Sequence, residues 1–473
     1  MTGKALLEAI QTAASANIFE DLYGKGCAET AQRRYAGLIE GMLNPDGFPV
    51  TDFPETQGAL RVFTAAGRTE LGGNHTDHNR GKVLAASIQL DSVAIVAKRQ
   101  DKKVFFRSTG YPDVSVNLAK ADGSVDLESK SEEQGTTEAL VRGIAAELTR
   151  RGVAVGGFSA NAASTVLPGS GLSSSAAVEV LFARIFDNLY GEGKRSALEL
   201  AQIGQIAENT YFGKPCGLMD QTACASGGAV AIDFEDLAHP KVKQINFDLA
   251  AAGYALCVVD TRGSHADLTE DYAAIPAEMK AVAAFFGKTV LREVNPKDVL
   301  THAPEIRKTA GDRALLRAIH FFNENQRVDA MLAALERADK AQEKKARLEA
   351  VFDFLGLVKQ SGDSSWELLQ NIYAPKHPEA QGISLALAIS RDFIEKGTTN
   401  IYGGAAPIVG ACRVHGGGFA GTIQAYIPLD CLDAYKARME AVFGSGAVTP
   451  IRIRPVGAAE LNINDKEYKN NHP

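Results

Sequence analysis

This 473-residue chain is short of several things, and each shortage excludes something. No uninterrupted apolar run nears the ~20 residues needed to cross a bilayer. The first residues, Met1–Glu8, lead into no apolar segment ahead of a cleavage site. A cytoplasmic protein with no membrane partner is therefore expected. The six cysteines, Cys27, Cys216, Cys224, Cys257, Cys412 and Cys431, include no CxxC pair and keep no regular spacing. Scattered thiols fit a reducing compartment better than a disulfide or zinc framework. Nor is positive charge in excess: 50 Lys and Arg stand against 57 Asp and Glu, a net charge of −7. A nucleic-acid surface shows the opposite balance, so an anionic ligand here needs locally placed donors rather than a global field. Internal repeats and low-complexity tracts are absent too.

What is present is ordinary in bulk. Hydrophobic residues make up 45% and charged residues 23%, the composition of a globular protein. The length exceeds one ordinary core, which predicts two domains and an appendage. Residues 1–58 read as a helical extension, with Leu6, Ile10, Ala13 and Ala14, and then Tyr35, Leu38, Ile39 and Met42, at helical spacing. Pro45, Gly47, Pro49 and Pro54 end that pattern. Short β-branched runs from Leu60 to Val116 predict a sheet; Thr136–Arg151 and Ser196–Phe212 predict helices, as does most of Lys308–Leu357. The domain division is placed near residue 240, giving domains at 59–240 and 241–473.

Chemistry is concentrated in three glycine-rich stretches. Gly67–Gly81 sets two arginines, two carboxylates, two histidines and two asparagines between an apolar run and a β-branched one, and reads as strand, turn, strand. Loops carried on a rigid sheet are where binding residues gather. The second stretch, Val166–Val178, places glycines and four serines ahead of a long apolar helix. Serines there can cap exposed N–H groups, and the helix dipole favours an anion. No Gly-Lys-Ser/Thr closes it, so it is not a Walker A loop. The third, Gly410–Tyr426, is a glycine turn entering an apolar strand, where backbone can approach a ligand or another chain segment closely.

In this order the three stretches resemble the GHMP family of small-molecule kinases, and within it the galactokinases. Gly67–Gly81 is similar to the signature Gly-Arg-x-Asn-Leu-Ile-Gly-Glu-His-Thr-Asp-Tyr-Asn-Gly-Gly. Pro168–Ala177 is similar to the family's phosphate loop and Gly416–Gly421 to its third motif. Ala207-Glu-Asn, Pro215–Gln221 and Asp260–Tyr272 also match, and the resemblance runs from about Leu60 to Val456. It implies an α+β fold of two domains with the active site in the cleft between them, and ATP-dependent phosphorylation of a sugar's anomeric hydroxyl, galactose first. Carried over by position, Arg68 and Asp220 are the catalytic pair. Asn74, His75, Asp77, Gly217 and Tyr272 surround the sugar. Gly169, Ser170, Gly171, Leu172, Ser173, Ser174 and Ser175 hold the ATP phosphates, with Ser175 and Glu208 on Mg²⁺. The residue types suit the chemistry: phosphoryl transfer needs positioning and charge neutralisation, Mg²⁺ takes hard oxygen ligands, and sugar hydroxyls pair with amides and carboxylates. His265 and His415 are read as structural, and the oligomeric state is left open.

The pattern departs at Asn74, where the signature has glutamate, at His78 (tyrosine), at Arg80 (glycine) and at Ala420 (glycine); an expected pair of arginines after Tyr272 is missing. An amide at position 74 raises two alternatives to galactose, galacturonate and N-acetylgalactosamine, since it can donate to a substrate carboxylate. A non-catalytic sugar sensor is the other alternative.

Overall fold

The computed structural model describes residues 1–44, 59–166, 171–264, 268–397 and 408–463. Three helices begin it: α1 (Gly3–Ile10), α2 (Ala13–Tyr23) and α3 (Ala28–Leu43), the first two N-capped by the hydroxyls of Thr2 and Thr12. Strands β1 (Arg61–Gly72), β2 (Lys82–Lys98), β3 (Lys103–Ser108) and β4 (Val114–Asn117) follow, then helix α4 (Thr137–Arg150) and strand β5 (Phe158–Ser164). Helices α5 (Ser174–Tyr190), α6 (Ala197–Ile206) and α7 (Met219–Ser226) lead to strands β6 (Ala229–Asp233), β7 (Lys241–Ile245) and β8 (Tyr254–Asp260). A helical block comes next: α8 (Thr269–Phe285), α9 (Pro296–Thr301), α10 (Ala303–Thr309), α11 (Asp312–Lys340), α12 (Lys344–Ser364) and α13 (Gly382–Lys396). Strands β9 (Ala411–Val414) and β10 (Thr422–Pro428), helix α14 (Leu432–Phe443), and strands β11 (Val448–Ile451) and β12 (Ala459–Leu461) close it.

The larger sheet runs β12-β1-β2-β5-β3-β4, with β6 and β7 added alongside the first half of β2; only β3 and β5 are parallel. Strand alternation splits its residues between two cores. Val93, Ile95 and Ala97 of β2 pack with α1–α3, while Ala94 and Val96 face the core shared with α4 and α5. The extension is thus the second layer of the sheet rather than an appendage. A smaller antiparallel sheet, β11-β8-β10-β9, carries the third glycine stretch. The sheets do not change over at residue 240, because β7 still pairs with β6, and β12 returns late to the edge of β1.

Local readings shifted where long-range pairing intervened. The first stretch is not all turn: β1 continues through Gly72 because its ladder with β2 continues, slipping register between Ala66 and Arg68 and again between Glu70 and Gly72. Such slips re-aim side chains. Ser196–Phe212 is α-helical only to Ile206, after which Ala207–Phe212 widens into a π turn.

Candidate active site

Arg68 stands on β1 between the two register slips, and Asp220 lies in the first turn of α7. Their side chains meet at two points, Nε to Oδ1 and Nη2 to Oδ2, each 2.7 Å. Arg68 is buried, and the carboxylate keeps some exposure. Burial alone would push the Asp220 carboxyl up; Arg68 and the hydroxyl of Ser173 outweigh it and hold the group below its usual range. The guanidinium also donates to the Gly171 carbonyl, and the Arg68 N–H to the Leu172 carbonyl at 3.1 Å. Arginine, aspartate and the glycine-serine loop are thereby one assembly.

The serines do not cap their helix in the expected way. Ser173 has φ +59° and donates its hydroxyl to Asp220 Oδ2 instead. The first N–H groups of α5 have neither an intrahelical acceptor nor a side-chain cap. With the positive end of a 17-residue helix behind them, they are suited to an anion. Leu172 is buried, Ser174 half-buried and Ser175 exposed. Gly169 and Ser170, like His265, lie outside the described residues.

Glu208 sits on the π turn, buried, and receives Gln221 Nε2 at 2.9 Å and Lys214 Nζ at 3.3 Å. Such turns concentrate at functional sites. The same Gln221 nitrogen donates to Glu179 Oε2 at 2.9 Å. Glu179 Oε1 and Gln221 Oε1 are buried without partners. Burial and the neighbouring Glu208 push the Glu179 carboxyl well up. Among the described residues no cluster of three His, Cys, Asp or Glu could hold a metal. A hydroxyl and one carboxylate nevertheless suit Mg²⁺, which keeps waters and substrate phosphates as its other ligands, and the unpartnered oxygens beside Glu208 mark a place short of positive charge. The residues present fit the ion.

On the other flank, Gly217 and Asp77 touch, since a Cβ at Gly217 would overlap the Asp77 carboxylate. Gly217 lies three residues before Asp220, so that contact brings Asp77 toward the ion pair. His75 and Tyr272 reach the glycine turn of the third stretch. His75 Nε2 donates to Gly417 O at 2.9 Å, and Tyr272 Oη to Gly418 O at 3.0 Å. A Cβ on Gly417 would lie 2.5 Å from the Tyr272 ring. Burial lowers the His75 ring to about 4, so it is neutral.

Asn74 is the correction. It is fully buried, and its amide nitrogen is spent on the Glu70 carboxylate (3.3 Å to each oxygen) and on Gly416 O (2.8 Å). Its oxygen accepts from Asn371 Nδ2 at 2.8 Å. Nothing on this amide is left to donate to a ligand, which removes the argument for a carboxylate-bearing sugar. Sequence reasoning passed over Glu70, although the signal was there: the signature has asparagine where this chain has Glu70 and glutamate where it has Asn74. Acid and amide are exchanged, and the buried Arg413 of β9 pairs with Glu70. Gln221, Glu179 and Asn371 were also missed: Gln221 closes the Pro215–Gln221 motif but carries no assigned role there, and the other two lie in no motif. Of the remaining departures, His78 is exposed and Arg80 reaches Glu293 at 3.4 Å.

Comparison with known proteins agrees with this geometry. Residues 139–228 match the GHMP kinases N terminal domain, and residues 51–98 match the galactokinase galactose-binding signature. The chain is 33% identical over 395 residues to a galactokinase of Streptomyces coelicolor, covering 83% of this chain and 91% of that one. It is 29% identical over 311 residues to a galactokinase of Clostridium tetani, covering 65% and 76%. In fold it is similar to Lactococcus lactis galactokinase complexed with galactose, with a TM-score of 0.68, 22% identity, and coverage of 89% of this chain and 100% of that one. Methanococcus jannaschii mevalonate kinase is similar at a TM-score of 0.53 and 14% identity, covering 85% and 99%.

Proposed function

We propose a function from one premise: this chain belongs to the galactokinase family of GHMP kinases. It is a sugar kinase, taking ATP as phosphoryl donor and converting galactose to galactose 1-phosphate. The observation that carries this is the Arg68–Asp220 pair beside the open N-terminus of α5. Asp220, held ionised, accepts the proton of the anomeric hydroxyl or orients that hydroxyl. Arg68 fixes the carboxylate and adds permanent positive charge next to the transferring group. The loop N–H groups from Gly171 to Ser175, with Gly169 and Ser170 before them, hold the phosphates. Asp77, His75, Gly217 and Tyr272 line the sugar side. Ser175 and Glu208 would hold Mg²⁺, which would neutralise phosphate charge. Lys214, 3.3 Å from Glu208, adds positive charge beside that position. The six scattered cysteines fit a cytosolic setting, and among the described residues no helix is long and apolar enough to cross a membrane.

The test is ADP release from the full chain with ATP, Mg²⁺ and a panel of galactose, galacturonate and N-acetylgalactosamine. Galactose should be turned over with the highest kcat/KM, and Asp220→Asn should cut turnover about a thousandfold with each sugar that is used. ATP binding without ADP release on any sugar would overturn the reading.

A further inference from the structure

His415 directly follows β9 and precedes the glycine turn, and nothing in the mechanism above uses it. It is buried, and both ring nitrogens are occupied. Nε2 lies 3.0 Å from Thr69 Oγ1, the residue after Arg68; Nδ1 lies 3.1 Å from Thr422 Oγ1 on β10. Thr69 Oγ1 already accepts from Gln424 Nε2 at 2.7 Å. The network is satisfied when the Thr69 hydroxyl donates to Nε2 and Nδ1–H donates to Thr422. Gly171 abuts the same ring: with φ +71°, a Cβ on it would stand 3.1 Å from His415 Nδ1 and 3.0 Å from Thr422 Oγ1. That glycine is the one whose carbonyl receives the Arg68 guanidinium. The ring therefore stands where β1, the phosphate loop and the β9–β10 hairpin meet, one residue from Arg68 along the chain and against the loop across space.

We propose that His415 is a positioning residue for phosphoryl transfer, bracing Gly171 and Thr69 so that the phosphate loop and the Arg68 guanidinium stay in one register. The charged groups around it are Arg68, Arg413 and Asp220. Burial, with the two arginines, lowers the ring to about 3, so it adds no charge of its own to the site. None of its hydrogen bonds reaches Asp77, Gly217 or Tyr272. Its loss should be felt on the nucleotide side and spare the sugar side.

This inference rests on the sugar-kinase reading, and its test separates the two. ADP release by wild-type, His415→Ala and His415→Gln proteins is measured with ATP and galactose varied in turn, and binding of a non-hydrolysable ATP analogue with Mg²⁺ is measured by calorimetry. Displacing a catalytic group by about 1 Å costs on the order of a hundredfold. His415→Ala should therefore lose about ten- to a hundredfold in kcat/KM for ATP, while KM for galactose moves less than about twofold. Glutamine, with one donor and one acceptor, should recover most of the loss. If the alanine variant does not melt cooperatively, Thr422→Val, which keeps the ring but removes one of its partners, carries the same expectation. Equal rises in both KM values, a glutamine variant as poor as alanine, or an alanine variant with wild-type constants would each overturn the proposal. Should no sugar be turned over at all, the kinase reading fails by itself. The calorimetry then decides for His415: weaker analogue binding by the alanine but not the glutamine variant supports it, and equal binding by all three overturns it.

Discussion

At the scale of single residues, the catalytic pair works by directing several donors at one acceptor. Asp220 is the clearest case, with two nitrogens of Arg68 and the Ser173 hydroxyl directed at one carboxylate. Its Asn variant keeps the shape and loses the charge, so kcat should fall about a thousandfold, in the range of a lost general base. Because Arg68 helps hold the Asp220 carboxyl below its usual range, the acid limb of kcat/KM should lie below pH 4 (the ordinary aspartate range, about 3.9). Arg68→Lys, which cannot make the two-point contact, should move that limb upward; a pH–rate profile of both proteins checks this. At Asn74 the expected consequence is structural. Asn74→Glu would set a second carboxylate against buried Glu70 and should cost about 3 kcal/mol or more. Exchanging both residues, Glu70→Asn with Asn74→Glu, restores one acid and one amide. Urea melts of the two single variants and the double should therefore show a coupling energy above about 1 kcal/mol.

At the scale of elements, the decisive feature is the three-helix layer over the outer face of the larger sheet. Its apolar side covers Val62, Val93, Ile95 and Ala97, and its polar anchor is Asp91 on β2. That carboxylate is fully buried and receives Arg34 of α3 at 2.7 Å, Arg454 at 2.6 Å, Tyr23 of α2 at 2.6 Å and Thr64 of β1 at 2.7 Å. Burial would raise Asp91; Arg34 and Arg454 bring it below the ordinary value instead. A depressed carboxylate stabilises the fold above its unfolded pKa and loses that contribution only as pH falls through the folded value. The anchor should therefore survive mild acid. Asp91→Ala would strand two arginines and should cost about 3–5 kcal/mol, read from denaturant midpoints. Removal of residues 1–44 exposes an apolar sheet face and should convert soluble protein to aggregate. A soluble, active truncation would show that the layer is dispensable.

For the whole molecule, the buried histidines set the direction of the pH dependence. His415 and His75 are lowered to about 3 and about 4, chiefly by burial, against about 6.5 in an unfolded chain. Between those values the unfolded chain binds protons that the folded one does not, so stability falls as pH falls below about 6.5. Each ring contributes at most about 1.4 kcal/mol per pH unit. These rings pull unfolding free energy down between pH 7 and pH 5.5, against the raised Glu179 carboxyl, which pulls the other way, and His415→Gln should remove one ring's share of that fall. An unchanged slope in the variant would contradict neutral burial of this ring.

Residue types and their local spacing determined much of this protein in advance: the helical phases of α1–α3, the glycine-serine start of α5 and the glycine turn before β10. Those signals are legible because helix period, turn propensity and motif spacing act over a few residues. The tertiary structure decided what depends on partners far along the chain. Ser173 gives up a helix cap for an aspartate 47 residues later, and Glu70, drawn to an arginine 343 residues away, takes the amide of Asn74 with it. A hydrogen-bonding side chain has several possible partners of similar strength, and only the packed chain determines which one arrives.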